Sequence, residues 1–179
     1  MRSKAKPRVD VKPLHTIQCA CTNLKMAARI VGRVYDTALG TAGVNATQYA
    51  ILINTHRYQP ISQMRLANHL GLERTTLYRA VEILAGNGWL TATPTGAGVT
   101  KVLELTPRGA QIAAQAQRGW DTVQQGFLHT FGAARWGAFL GMLDEIRGHF
   151  GDPSGVEPKT SMRQSDDLPQ PRAKRRRQE

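Results

Sequence analysis

Acidic side chains are scarce in this sequence: 13 Asp and Glu stand against 24 Lys and Arg in 179 residues, a formal net charge of +11. That balance favours a polyanionic partner without saying which, because Lys and Arg displace counterions from a phosphate backbone whatever its sequence. Cysteine is nearly absent. Cys19 and Cys21 are the only two, too few for a disulfide framework. Two positions apart on a helix they would point in different directions and could not bridge, so a reducing cytoplasm is the expected compartment. Long apolar runs are missing as well. The one long uncharged stretch, Thr37 to His56, is broken by Gly40, Gly43, Asn45, Gln48 and Asn54, which excludes a membrane span. Residues 1–14 contain no apolar core of the kind a signal peptide needs.

Catalytic constellations are also wanting. There is no evident nucleophile-base-orienter set, no phosphate-cradling glycine loop and no paired carboxylates, which argues against an enzyme; a thiol-dependent one using Cys19 or Cys21 is the nearest alternative. Metal chemistry has little to work with. His15 and Cys19 are spaced i, i+4, but two donors do not close a zinc site, and His56, His69, His129 and His149 are scattered. No metal site and no cofactor is expected.

What is present organises into a core with two basic ends. Residues 1–14 carry Arg2, Lys4, Lys6, Arg8 and Lys12 against Asp10, a contribution of +4. Residues 151–179 contribute +2, hold four prolines and no aromatic, and end near the run Lys174-Arg175-Arg176-Arg177. Both ends are expected to be disordered tails, having too little apolar material to offset chain-ordering entropy. Residues 15–150, left with +5, form one expected domain.

Within that domain Ile17, Cys21, Leu24, Ala28, Val31, Tyr35 and Ala38 step by threes and fours, which predicts a long helix from His15 to Leu39 stopped at Gly40. A second helix is expected from Thr47 to about Arg57, ended by Pro60. Ser62 is a good N-cap for a short helix carrying Leu66, Ala67 and Leu70, closed by Gly71. A further helix runs from about Glu73 to Ala85 with Leu77, Ala80, Val81 and Leu84 inward. Two β-candidates follow, Trp89–Thr93 and Thr100–Leu105, joined by Pro94-Thr95-Gly96-Ala97-Gly98, a connection that suits a hairpin. Thr106-Pro107 then opens a helix towards Phe131, and a last helix covers about Ala133 to Phe150, with Trp136, Phe139, Leu140, Leu143 and Ile146 on one side. The fold class is therefore mainly α with a small β-hairpin wing, in the order α-α-α-α-β-β-α-α. Trp120, Phe127, Phe131, Trp136 and Phe139 sit at helical spacings, as packing residues of a helical hub would.

Residues 64–79 have the grammar of a helix-turn-helix: a short amphipathic helix, a glycine-containing turn and a second helix. With Leu77, Val81 and Leu84 inward, Arg74, Thr75, Tyr78, Arg79 and Glu82 are left facing out. That face suits a major groove. Arginine donates two bonds to guanine O6 and N7, threonine bonds a base or touches a thymine methyl, and residues early in the helix come nearest the bases. Arg74, Thr75, Thr76, Tyr78 and Arg79 are thus candidate duplex-DNA contacts, while Ser62 and Gln63 open the preceding helix where free N–H groups favour a phosphate. The competing readings are an ordinary solvated helix, or a winged helix serving as a protein- or RNA-interaction module.

Cys19-Ala20-Cys21-Thr22-Asn23-Leu24-Lys25-Met26-Ala27-Ala28-Arg29, Tyr35-Asp36 and Thr47-Gln48-Tyr49-Ala50-Ile51-Leu52 resemble the opening of the multiple-antibiotic-resistance regulator (MarR) family. Gly71-Leu72-Glu73-Arg74-Thr75-Thr76-Leu77 and Leu103-Glu104-Leu105-Thr106-Pro107-Arg108-Gly109 resemble its recognition helix and post-wing junction. The resemblance covers about residues 15–148. It implies a winged helix-turn-helix transcription regulator, a homodimer whose first and last helices form a joint hub beneath two DNA-binding lobes, with a pocket for a small-molecule effector between hub and lobe. Arg79 matches an arginine typical of the family's recognition helix. The family's wing often carries an Asp-x-Arg element, whereas this connection offers Lys101 alone, for which phosphate contact and simple solvation are both open. The distance from Cys21 to Arg29 and Tyr35 resembles the family's organic-hydroperoxide sensors, although a tyrosine of that subgroup is replaced by Lys25. Cys21 is thus either a redox sensor, favoured by a helix start, or a small buried hydrophobe.

Overall fold

The structure, a computed structural model, describes residues 19–95 and 100–151. The expected tails, the segment from His15 to Gln18 and the tip of the wing lie outside the described residues. The chain divides into two compact units, Met1–Gly132 and Ala133–Glu179.

In the first unit α1 (Ala20–Leu39) is followed by a single 3-10 turn and by α2 (Ala46–Tyr58). Gly43 adopts a left-handed φ of 76° at the end of that turn, a conformation that glycine enters without penalty. Asn45 then caps α2 in a reciprocal box with Gln48, and the Asp36 carboxylate accepts the Ala46 N–H at 2.8 Å, so the end of α1 holds the start of α2. Next come β1 (Ile61–Ser62), α3 (Gln63–Leu70), α4 (Arg74–Gly86), the hairpin β2 (Leu90–Pro94) and β3 (Lys101–Leu105), and the long α5 (Pro107–Phe131).

The three strands pair in the order β1-β3-β2, both pairings antiparallel. Sequence periodicity identifies the hairpin but not β1, which contributes only the pairs Ile61–Leu103 and Ser62–Val102. Leu39, Ile51, Leu52, Leu66, Leu77, Leu84 and Leu103 are fully buried and join α1 through α4 to the sheet in one core. Two glycines permit close crossings. A Cβ at Gly109 would stand 1.8 Å from the Trp89 carbonyl oxygen, and one at Gly119 would stand 2.5 Å from that of Ala38. The backbone of α5 therefore runs directly against the start of the wing and against the end of α1. Polar side chains add to this seam: Tyr35 donates to Gln124 at 2.7 Å, and Tyr49 donates to Gln117, whose amide donates to Asp121.

Only the C-terminal half of α1 is packed, through Val31, Tyr35, Ala38 and Leu39; Leu24, Met26, Ile30 and Val34 are exposed. Among the described residues the second unit has the single helix α6 (Ala133–Phe150), on which Phe139, Leu140, Met142, Ile146 and Phe150 are exposed. Among the described residues no helix is long and apolar enough to cross a membrane.

Candidate nucleic-acid interface

The helix-turn-helix is set by local chemistry. Ser62 takes an extended conformation, and its hydroxyl accepts the Arg65 N–H at 3.3 Å, capping α3. At the other end Gly71 adopts φ 61°, its N–H meets the Asn68 carbonyl at 3.2 Å, and the Leu72 N–H reaches the Ala67 carbonyl at 2.9 Å. This pair of bonds is a Schellman closure, which turns the chain sharply and requires a left-handed residue. Leu72 packs back on the core behind it. α4 then starts at Arg74, one residue later than the periodicity predicts, with Glu73 as N-cap.

Leu77, Ala80, Val81 and Leu84 are buried, which orients the rest of α4. Arg74, Thr75, Thr76 and Arg79 are exposed as expected. Tyr78 is not fully outward. It is half-buried and packs against the core, because its position falls on the flank of the buried stripe rather than opposite it. Gln63 departs further from expectation: its side chain is 5% exposed, turned inward because the β1 pairing fastens the residue before it to the sheet. It can offer an anion only its backbone N–H. Arg65, given no role by the sequence reading, is an exposed cation on the first turn of the same helix.

β1 does more than extend the sheet. Because Ser62 pairs with Val102, the cap of α3 lies beside the hairpin strand one residue from Lys101, which is exposed and opposite Pro94. The strands of the hairpin and the start of α3 are thus joined through one sheet. Beyond Lys101 the hairpin continues through the Thr95 N–H and hydroxyl, both bonded to the Thr100 carbonyl at 3.3 and 2.9 Å.

The cysteines differ from expectation. α1 begins at Ala20, and Cys19 is its N-cap with extended φ −71° and ψ 110°. Hydrogen bonding by the Thr22 side chain, then by its backbone, holds the Cys19 thiol below its ordinary pKa. Cys21, expected either as sensor or as buried hydrophobe, is exposed in the single chain, because the packing of α1 starts only further along the helix.

A pocket of about 170 Å³ opens between α2, the end of β3 and α5, lined by Ile53, His56, Leu105, Ala113, Ala114 and Gln117 among others. Its walls are apolar, with two polar groups at the margin.

A helix-turn-helix backed by a three-stranded sheet, with a hairpin beside the second helix, defines a winged helix-turn-helix protein. The sequence matches the MarR family over residues 44–95. The transcriptional regulator MosR of M. tuberculosis is 31% identical; the match covers 72% of this chain and 97% of that one, with a TM-score of 0.60. The chain belongs to the MarR family of transcriptional regulators, which are not enzymes. The transcriptional repressor CouR, solved with a 23-mer DNA duplex, shares the fold at 21% identity and a TM-score of 0.67, over 77% of this chain and 99% of that one. A mutant MarR from E. coli complexed with operator DNA does so at 19% and 0.66, over 76% and 99%. Among curated protein sequences none matches.

Proposed function

We propose that the chain is a DNA-binding transcription regulator, a repressor, that holds a palindromic operator as a homodimer in the cytoplasm. The observation that carries this reading is the exposed surface of α4, where Arg74, Thr75, Thr76 and Arg79 are left outside the stripe buried through Leu77, Ala80, Val81 and Leu84, on a helix aimed by the Gly71 turn. MosR, 31% identical to this chain, has also been solved in complex with DNA. Arg74 and Arg79 take guanine edges, Thr75 and Thr76 take bases or the adjoining backbone, and Tyr78 contributes through the half of its ring that remains exposed. Phosphates fall to Lys101, to Ser62 and the Gln63 N–H, and to Arg65. Residues 1–14 and 151–179 add Lys and Arg that strengthen binding to any duplex.

The exposed apolar residues of α1 and those of α6 are each more than a lone surface helix leaves to water, which supports self-association through the terminal helices. Release from DNA is assigned to a small effector with an apolar body, held in the pocket beside His56 and Gln117. CouR has been solved with p-coumaroyl-CoA. Oxidation at Cys21 is a second route, supported by its exposure on the first turn of α1.

A mobility-shift titration at two salt concentrations, with duplex DNA and duplex RNA of one sequence, tests the reading. Salt-sensitive binding of DNA in preference to RNA is expected. Equal binding of both, or binding of neither, would favour an RNA- or protein-interaction module.

A further inference from the structure

The exposed face of α4 carries one charged residue, Glu82, to which the reading above gives no task. Thr75, Arg79 and Glu82 are spaced i, i+4 and i+7, so they form a single stripe opposite Leu77, Val81 and Leu84. All three are exposed, and Glu82 is the only acid on the stripe. Ordinary structural duties do not account for it. Among the described residues the one ion pair is Arg147–Asp144, in α6, so Glu82 neutralises no neighbour. Arg79 precedes it by three residues, the less favourable order for an intrahelical pair. Glu82 lies beyond the first turn of α4, where the helix dipole gives a carboxylate no support. On a surface that meets phosphates, a lone carboxylate lowers affinity for every duplex.

What a carboxylate at this place can add to recognition is discrimination between bases. An ionised carboxylate accepts hydrogen bonds and donates none. In the major groove it is repelled by guanine O6 and N7 and by thymine O4, and it is satisfied by the amino groups of cytosine and adenine. Adenine sets its acceptor N7 beside its amino group, whereas cytosine presents N4–H₂ with no acceptor of its own on that edge. We propose that Glu82 is a specificity-determining residue that accepts a hydrogen bond from cytosine N4, next to the base pair taken by Arg79. The proposal rests on the duplex-DNA reading of α4 and deepens it by naming one base.

The test uses the full chain. Duplexes bound by the wild-type protein are selected from a random pool, and binding is then measured for wild type, Glu82→Ala and Glu82→Gln. The probes are the selected duplex, its single-position variants and a scrambled duplex. Glu82→Ala is expected to bind the scrambled duplex more tightly, while preference for cytosine falls about tenfold at one symmetry-related pair of positions and nowhere else. Glu82→Gln is expected to accept adenine at the same positions, because an amide both donates and accepts. If both variants keep the wild-type preference at every position, Glu82 reads no base, whatever happens to overall affinity. If the wild type selects no duplex at all, the proposed function itself fails and takes this inference with it. Thermal midpoints of both variants are measured beside the wild type; a change of preference at one base pair with an unchanged midpoint is the expected signature, and a uniform loss on all probes overturns it.

Discussion

Replacing Gly109 with alanine tests how the wing is mounted. The new Cβ would stand 1.8 Å from the Trp89 carbonyl oxygen and 2.9 Å from Leu105 Cδ1. The first of these is backbone, so a rotamer change cannot relieve it. α5 would have to move away from Trp89, stretching the 3.1 Å bond from the Thr106 N–H to that same carbonyl. The Thr106 hydroxyl, which donates to Gly88 at 2.8 Å and accepts from the Gly109 N–H at 3.0 Å, would be disturbed too. Overpacking of this kind costs about 1–3 kcal/mol. The weakened backbone hydrogen bond adds about 1 kcal/mol. Better helix propensity returns up to about 1 kcal/mol. The net expectation is a loss of about 2 kcal/mol, a fall of roughly 4–8 °C in thermal midpoint for a chain of this size. Far-UV circular dichroism melts check it, with Gly86→Ala as control, since nothing lies within 4 Å of a Cβ there. A Gly109→Ala midpoint equal to or above that of the parent would refute the close-approach account.

Thr55 is fully buried and its hydroxyl has no hydrogen-bond partner among the described residues, so Thr55→Val should raise stability by about 1 kcal/mol in a denaturant titration; a loss would mean the hydroxyl is satisfied. Burial first, and the Asp121 charge second, push the Tyr49 pKa up from 10.0 to about 12. A folded-state pKa above the unfolded value gives stability that is complete below about pH 10 and lost as pH rises towards 12. Urea midpoints should therefore fall through that window, and less so in Tyr49→Phe; identical profiles would remove Tyr49 as a cause. Arg79→Ala should cost about 1–3 kcal/mol on the selected operator and much less on a scrambled duplex. Lys101→Ala should weaken both alike and reduce the salt slope by about one unit. Equal losses on both duplexes from Arg79→Ala would make it a phosphate clamp and move base reading to Thr75 and Thr76.

Much of this architecture is legible in the sequence because its punctuation is local. Ser62, Gly71 and Thr106-Pro107 act on their own neighbours, and the structure has caps at each of them. The last helix has the expected bounds, Ala133–Phe150. What escapes a linear reading depends on partners distant in the chain. β1 is two residues long, too short for any period, and exists because β3 pairs with it. That pairing also turns Gln63 inward, which nothing in its immediate neighbourhood announces. Tyr78 lies on the margin between two helix faces, where periodicity cannot choose. The start of α1 differs from the periodicity for a related reason: the apolar spacing runs on to Ile17, whereas the backbone at Cys19 is extended and the helix begins at Ala20. As N-cap, Cys19 lies beside Thr22, whose hydrogen bonding holds its thiol below the ordinary pKa.

Selection of bound duplexes from a random pool bears most directly on the claim that paired copies of α4 read DNA. Two α4 helices related by a twofold axis predict a palindromic consensus whose half-sites lie about one helical turn apart, centre to centre, each containing a guanine whose preference disappears in Arg79→Ala. A consensus with no dyad, or a pool that emerges as random as it entered, would contradict it.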